Sequence, residues 1–170
     1  MNSTIAEALD RVSRAVMANP EKAGAKLGPA TATMAGGLKF HVTGPSGERI
    51  ETDMPPAMGG GNTSPNPGWL FRASLAACCS TVIAQRAARL GIDLTDLEVT
   101  VEGDGDVRGL LGLDDNVSAG HSALRTNVRI GAHNATPAQL EELVRWARDH
   151  APVGSTVRDA TPNTLRVAVA

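Results

Sequence analysis

The feature that most constrains this chain is a 23-residue stretch, 68–90, with only three charged side chains, Arg72, Arg86 and Arg89. Pro67 precedes it and Gly91 follows it. These residue types are favoured at the first helical position and just past a helix C-terminus. As a single helix the stretch is about 35 Å long. Its first half sets Trp69, Leu70, Phe71, Leu75, Ala76 and Ala77 on nearly every side, which predicts a buried central helix. Gln85, Arg86 and Arg89 predict a more exposed second half. A helix that is apolar all round needs more cover than one short meander of the same chain provides. The expectation is a two-fold homodimer with these long helices packed at its centre.

The other elements are shorter. Ile5, Leu9, Val12 and Val16 fall four, three and four apart, an apolar stripe on a helix. Thr4 with Glu7 suits a capping box at its start, and Pro20 suits its end. Residues 30–35, 38–43 and 49–53 read as three strands of an antiparallel meander, broken at Gly36-Gly37 and at Gly44-Pro45-Ser46-Gly47. The Pro- and Gly-rich stretch 54–67 reads as a surface loop. It feeds straight into the long helix, as a loop bordering a site would. Leu97, Val99 and Val101 alternate with Glu98, Thr100 and Glu102, and Leu124, Val128 and Ile130 alternate with Arg125, Asn127 and Arg129. Both patterns predict half-buried strands. Thr136-Pro137-Ala138-Gln139 opens a helix to about His150, and Leu165, Val167 and Val169 predict a closing strand. The order is that of an α+β fold, not a doubly wound sheet. Residues 1–28 form a helical extension and 29–170 one domain.

Charge and composition exclude several functions. Sixteen basic against eighteen acidic side chains leave a net charge of −2, with no excess to hold phosphate backbones. Aromatic residues are 2 % with no Tyr, too few for base-stacking platforms. Nucleic acid is therefore not an expected partner. Glu7 and Asp10 interrupt any signal-peptide pattern at the start, and no unbroken run of about 20 apolar residues occurs. The expectation is a cytoplasmic protein with no membrane association.

The chemistry centres on two adjacent cysteines. Three and four residues from Cys79 lie Leu75, Ala76, Val82 and Ile83, all apolar; the corresponding neighbours of Cys78 are Ser74, Leu75, Thr81 and Val82. Cys79 reads as core filler and Cys78 as a thiol on a polar seam. Either both are small buried hydrophobes or Cys78 is reactive. Three turns inside a helix, Cys78 gains nothing from the helix dipole. A reactive Cys78 therefore needs a cation or hydrogen-bond donor from elsewhere. Asp104-Gly105-Asp106-Val107-Arg108-Gly109, with Asp115, half-resembles a calcium loop. It fails where Arg108 puts a cation at a ligand position, and it lacks flanking helices. His41, His121, His133 and His150 are too scattered for zinc. No metal and no cofactor is expected.

The run from Asn66-Pro67 through Ala76-Ala77-Cys78-Cys79, behind Gly59-Gly60-Gly61, resembles the OsmC/Ohr family of osmotically inducible and organic hydroperoxide resistance proteins. Ala30-Thr31-Ala32-Thr33, Gly36-Gly37 and His41-Val42 match the family's opening hairpin. Gly91 with residues 97–102 matches the strand after its long helix, and Pro152-Val153 matches its Cys-Pro-Val segment. The resemblance covers most of the chain from about Ala30, so residues 29–170 make an OsmC-like domain and the first helix is an addition. It implies an α+β, OsmC-like fold: antiparallel sheets with a long central helix, in an intertwined homodimer. For active members it also implies a peroxidatic cysteine on that helix, an Arg and a Glu that activate it, and a second cysteine that resolves the sulfenic acid. Carried over, the peroxidatic position is Cys78. The Arg position holds Leu38, with Lys39 next to it on the other face of a strand. The Glu position holds Gly68 and the resolving position Ala151.

Two functions follow from this reading. In the first, a redox protein of the stress response reduces hydroperoxides weakly through Cys78. An external thiol serves as reductant, and Arg49, Arg72 or Arg86 is the candidate cation. In the second, a non-catalytic protein holds a small apolar ligand in the dimer-interface pocket and Cys78 is inert. The three missing family residues favour the second, and the retained Cys78 favours the first.

Overall fold

The computed structural model describes residues 2–159 and 161–169. Helix α1 (Asn2–Ala18) opens the chain. Because it begins at Asn2, Thr4 lies inside its first turn, and the capping box expected of Thr4 and Glu7 is not formed. A 3-10 turn at Pro20–Lys22 follows. The chain forms two compact units, residues 8–73 and residues 1–7 with 74–170.

In the first unit, β1 (Thr31–Gly36), β2 (Lys39–Thr43) and β3 (Arg49–Thr52) form the expected antiparallel meander, in that order. The β1–β2 turn uses Gly36 and Gly37, both at positive φ, a region open to glycine at little cost. Glu51 organises one face of the sheet. Its carboxylate lies 3.2 Å from Lys39 Nζ and 3.1 Å from His41 Nδ1, and the bond from Lys39 lowers its pKa first.

The loop that follows hangs on Asp53, which is 4 % exposed. Asp53 Oδ1 accepts from the Met54 amide at 2.8 Å. Asp53 Oδ2 accepts from the amides of Gly61 and Thr63, at 3.1 and 3.0 Å, and from Thr63 Oγ1 at 2.9 Å. One side chain thereby supplies the hydrogen bonds that an irregular backbone cannot give itself. A Cβ at Gly60 would stand 1.9 Å from the Met54 carbonyl oxygen, so only glycine fits there.

The second unit is built on α2 (Pro67–Arg89) from Ser74 onward, β4 (Leu94–Asp104), α3 (Val107–Leu110), β5 (Ala123–Ala132), α4 (Pro137–His150) and α5 (Pro152–Arg158). β4 and β5 pair antiparallel. Opposed residues put charge on one face, where Arg125 meets Asp104 and Glu102, and Arg129 meets Glu98 and Asp96. The opposite face carries Leu97, Val99, Val128 and Ile130 to the core. There they meet Cys79, Ile83 and Ala87 of α2 and Leu140, Leu143 and Ala147 of α4. The α4 capping box forms as expected, with Thr136 Oγ1 accepting from the Gln139 amide and Gln139 Oε1 from the Thr136 amide.

Three expectations are corrected here. The buried residues of α2 are Cys79, Ile83, Ala87 and Ala88, all in its second half, while Trp69 in the first half is 50 % exposed. The reason is the i, i+4, i+8 seam 79–83–87, which faces α4, while Arg86 stacks its guanidinium over Trp146 at 4.5 Å. The closing strand is absent: residues 161–169 have no regular structure, and Leu165, Val167 and Val169 are exposed. A strand needs a partner edge, and this segment makes no backbone hydrogen bond among the described residues. Helix α5 takes the place read as the approach to that strand, with Pro152 as its first residue and the Ser155 amide donating to the Ala151 carbonyl at 2.9 Å. Finally, α2 is long and apolar enough by length and composition to cross a membrane, although no unbroken apolar run marks it. Its packed 79–83–87 face shows it serving as a core helix.

The Asp53 bonds hold its pKa at about 2, the Thr63 amide contributing most. A depressed carboxylate stabilises the fold fully above its ordinary value of 3.8, and that contribution is lost as pH falls through the native value. Protection of the Gly61 and Thr63 amides should therefore persist at pH 4 and fall away toward pH 2. In Asp53→Ala their hydrogen exchange should be about tenfold faster at neutral pH. Unchanged exchange in the variant would contradict this role.

Candidate functional site

Helix α2 positions both thiols, and its start explains the Asn-Pro pair. Asn66 Oδ1 accepts from the Trp69 amide at 2.9 Å, an N-cap, and Pro67 takes the first helical position, where its missing N–H costs nothing. From that start, 3.6 residues per turn carry Cys79 into the core and leave Cys78 half-buried. Burial raises the Cys79 thiol pKa, with a smaller contribution from Cys78, so Cys79 stays protonated. Two hydroxyls next along α2 are engaged. Ser80 Oγ donates to the Ala76 carbonyl at 2.8 Å and Thr81 Oγ1 to the Ala77 carbonyl at 2.9 Å.

The candidate cations fall as follows. Arg49 lies 3.8 Å from Glu51, Lys39 is held by the same carboxylate, and Arg86 covers Trp146. Arg72 is six residues before Cys78 on α2, about one third of a turn off its face. At the positions where the resemblance implies activating residues, Leu38 sits in the β1–β2 turn, 41 % exposed. Gly68 lies under the Asn66 cap, where a Cβ would stand 3.3 Å from Asn66 Oδ1.

A cavity of about 390 Å³ opens beside the other thiol. Its walls include Leu75 and Cys79 of α2, Leu124 and Val128 of β5, Val144 of α4, and Ala151. The structure thus brings Cys79 and the resolving position, Ala151, to one cavity, and Cys78 is not on its wall. Sequence reasoning treats Cys79 as filler because its neighbours are all apolar. Of those neighbours only Leu75 lines the cavity; its other walls come from β5, α4 and α5, which local spacing does not bring to Cys79. Asp53 carries no sequence signal beyond its place before a glycine-rich loop.

Among the described residues no group of three His, Cys, Asp or Glu could hold a metal ion. In the stretch that half-resembles a calcium loop, Asp106 caps α3 through the Arg108 amide at 2.9 Å and pairs with the Arg108 guanidinium at 2.6 Å. His150 stacks on Trp146 with ring centroids 3.9 Å apart.

The family model described as OsmC-like protein matches residues 59–166, which include the glycine-rich loop, the cysteine pair and Ala151. The chain belongs to the OsmC-like family. Solved structures share its fold. An organic hydroperoxide resistance protein OsmC from Legionella pneumophila is 24 % identical, with a TM-score of 0.58 over 79 % of this chain and 91 % of that one. An organic hydroperoxide resistance protein from Elizabethkingia anophelis is 22 % identical, with a TM-score of 0.59 over 80 % and 91 %. An OsmC-like protein from Mycoplasma pneumoniae is 16 % identical, with a TM-score of 0.65 over 79 % and 89 %. Comparison with curated proteins gives no sequence match.

In this OsmC-like chain the two thiols differ in access, and burial raises the pKa of Cys79. Brief iodoacetamide treatment of the native protein should label Cys78 first and leave Cys79 unmodified until the fold opens. Peptide mass spectrometry with the label chiefly on Cys79 would reverse the assignment of faces.

Proposed function

We propose that this OsmC-like chain is a stress-response redox protein that reduces organic hydroperoxides weakly through Cys78. The observation that carries the reading is the division of the thiols on α2: Cys79 is sunk in the core and Cys78 is left within reach of solvent. The neighbours described as organic hydroperoxide resistance proteins supply the substrate class.

The chemistry needs few parts. The Cys78 thiolate attacks one peroxide oxygen, the O–O bond breaks, and the alcohol leaves with a proton, so that Cys78 becomes a sulfenic acid. With Ala151 at the resolving position, an external thiol condenses with the sulfenic acid. Water is released and a mixed disulfide forms. A second external thiol then frees Cys78 as the reductant's own disulfide. Without an Arg and a Glu holding the thiolate, the first step is slow, since only the thiolate fraction attacks. The adjacent Cys79 does not resolve Cys78, because a bridge between helical neighbours distorts the backbone.

The same reading places the protein in the cytoplasm, where small thiols are kept reduced, as a homodimer. A second copy would cover the half-buried first half of α2, around Trp69. A second function is favoured by a different observation. The cavity of about 390 Å³ is walled largely by apolar side chains, with the buried Cys79 thiol, its pKa raised, among them, which suits a ligand that is bound and not transformed.

Turnover of cumene hydroperoxide with dithiothreitol separates the two. The expected result is slow turnover that Cys78→Ser abolishes. Cys79→Ser should cost about 1–3 kcal/mol of stability for its buried hydroxyl and leave the activity in place. Excess peroxide should drive Cys78 to sulfinic acid and form no intramolecular disulfide. Activity that survives Cys78→Ser would remove the redox function.

A further inference from the structure

We propose that the cavity beside Cys79 binds a small amphipathic anion, an apolar chain ending in a carboxylate, with Arg148 as the anchor for the head group. The proposal rests on the binding function above and adds the class of its ligand. The walls set the first half of the argument. Leu75, Cys79, Leu124, Val128, Val144 and Ala151 offer no charge, and burial keeps the Cys79 thiol in its neutral form. A chain of methylenes fits such walls, and a volume of about 390 Å³ is at the lower end of ligand pockets, which favours a short or medium chain.

Two arginines among the lining residues set the second half. Arg148 and Arg158 both line the cavity. Arg158 is already committed: Nη1 donates to the Arg148 carbonyl at 3.3 Å, Nη2 donates to Ser155 Oγ at 3.0 Å, and Nε lies 3.6 Å from the Asp159 carboxylate. The Arg148 guanidinium makes no hydrogen bond or ion pair with any described residue. A cation left open at a largely apolar cavity is complementary to an anionic head on an apolar tail, and a planar guanidinium matches a carboxylate in bidentate fashion. No covalent step is involved, so Cys78 has no part in it.

Calorimetric titration of the full chain with octanoate, 1-octanol and acetate tests the proposal, in wild type and in three variants checked for native thermal unfolding. Arg148→Gln removes the cation from an exposed helical position. Gly154→Leu fills the cavity from α5. A Cβ there would meet only the Ala151 Cβ at 4.0 Å, an ordinary contact. Cys78→Ser removes the candidate redox thiol. The expected result is octanoate binding about tenfold tighter than 1-octanol, with acetate undetectable. Arg148→Gln should abolish the difference between octanoate and 1-octanol, Gly154→Leu should abolish both, and Cys78→Ser should change neither. If 1-octanol binds as tightly as octanoate, or Arg148→Gln leaves octanoate unaffected, the anion site is wrong and the apolar-ligand function stands. If neither binds, or Gly154→Leu leaves binding intact, the cavity is not a ligand site and that function falls with it.

Discussion

Ile83 of α2 and Leu143 of α4 are the largest side chains fully removed from solvent, and both belong to the seam where α2 meets α4 and the β4–β5 sheet. Each contributes about 1.5–3 kcal/mol by burial, and neither leaves room for rotation of α2 about its axis. That fixed rotation has chemical consequences. With Ile83 facing α4, Cys79 one turn earlier must face the same way, and Cys78, 100° around, cannot. Which thiol is buried and which is left half-buried is thus decided by packing several residues away from either sulfur.

The polar framework of the first unit uses different means to hold irregular backbone. Asp53 gathers three amides and a hydroxyl of the loop after β3, and Asn66 caps α2. Three residues that the family resemblance ties to activity stand here as Leu38, Gly68 and Ala151, and each has a structural place: a turn, a cap, and the wall of an apolar cavity. The chain belongs to the OsmC-like family, and at the positions where the resemblance implies an Arg, a Glu and a second cysteine it carries apolar or small residues. Slow redox chemistry and ligand binding are both compatible with those residues.

Much of this was legible in the sequence because local signals and tertiary demand agree. Pro67 and Gly91 bracket α2, Thr136 with Gln139 starts α4, and the alternations at 97–101 and 124–130 give two half-buried strands. Legibility failed where an element depends on a partner that local pattern does not reveal. Leu165, Val167 and Val169 alternate like a strand but make no ladder. The short helix α5 was not read, although Pro152 at its first position could have announced it. The burial of α2 was read from the number of its apolar residues, which are densest near Trp69, whereas the face that is buried follows from the spacing of 79, 83 and 87. Of the site, the contrast between Cys78 and Cys79 was readable from helical neighbours. The cavity was not, because Leu124, Val144 and Ala151 come together only through the fold.

One constraint links these findings. A long apolar helix must be covered, and within one chain only its second half is well buried. A second copy packed on the first half, around the half-exposed Trp69, would complete the cover and set the surroundings of Cys78. Sedimentation velocity at micromolar concentration tests this most directly. The account predicts a single stable species of twice the 17.6 kDa chain mass. A stable monomer of 17.6 kDa under the same conditions would contradict it.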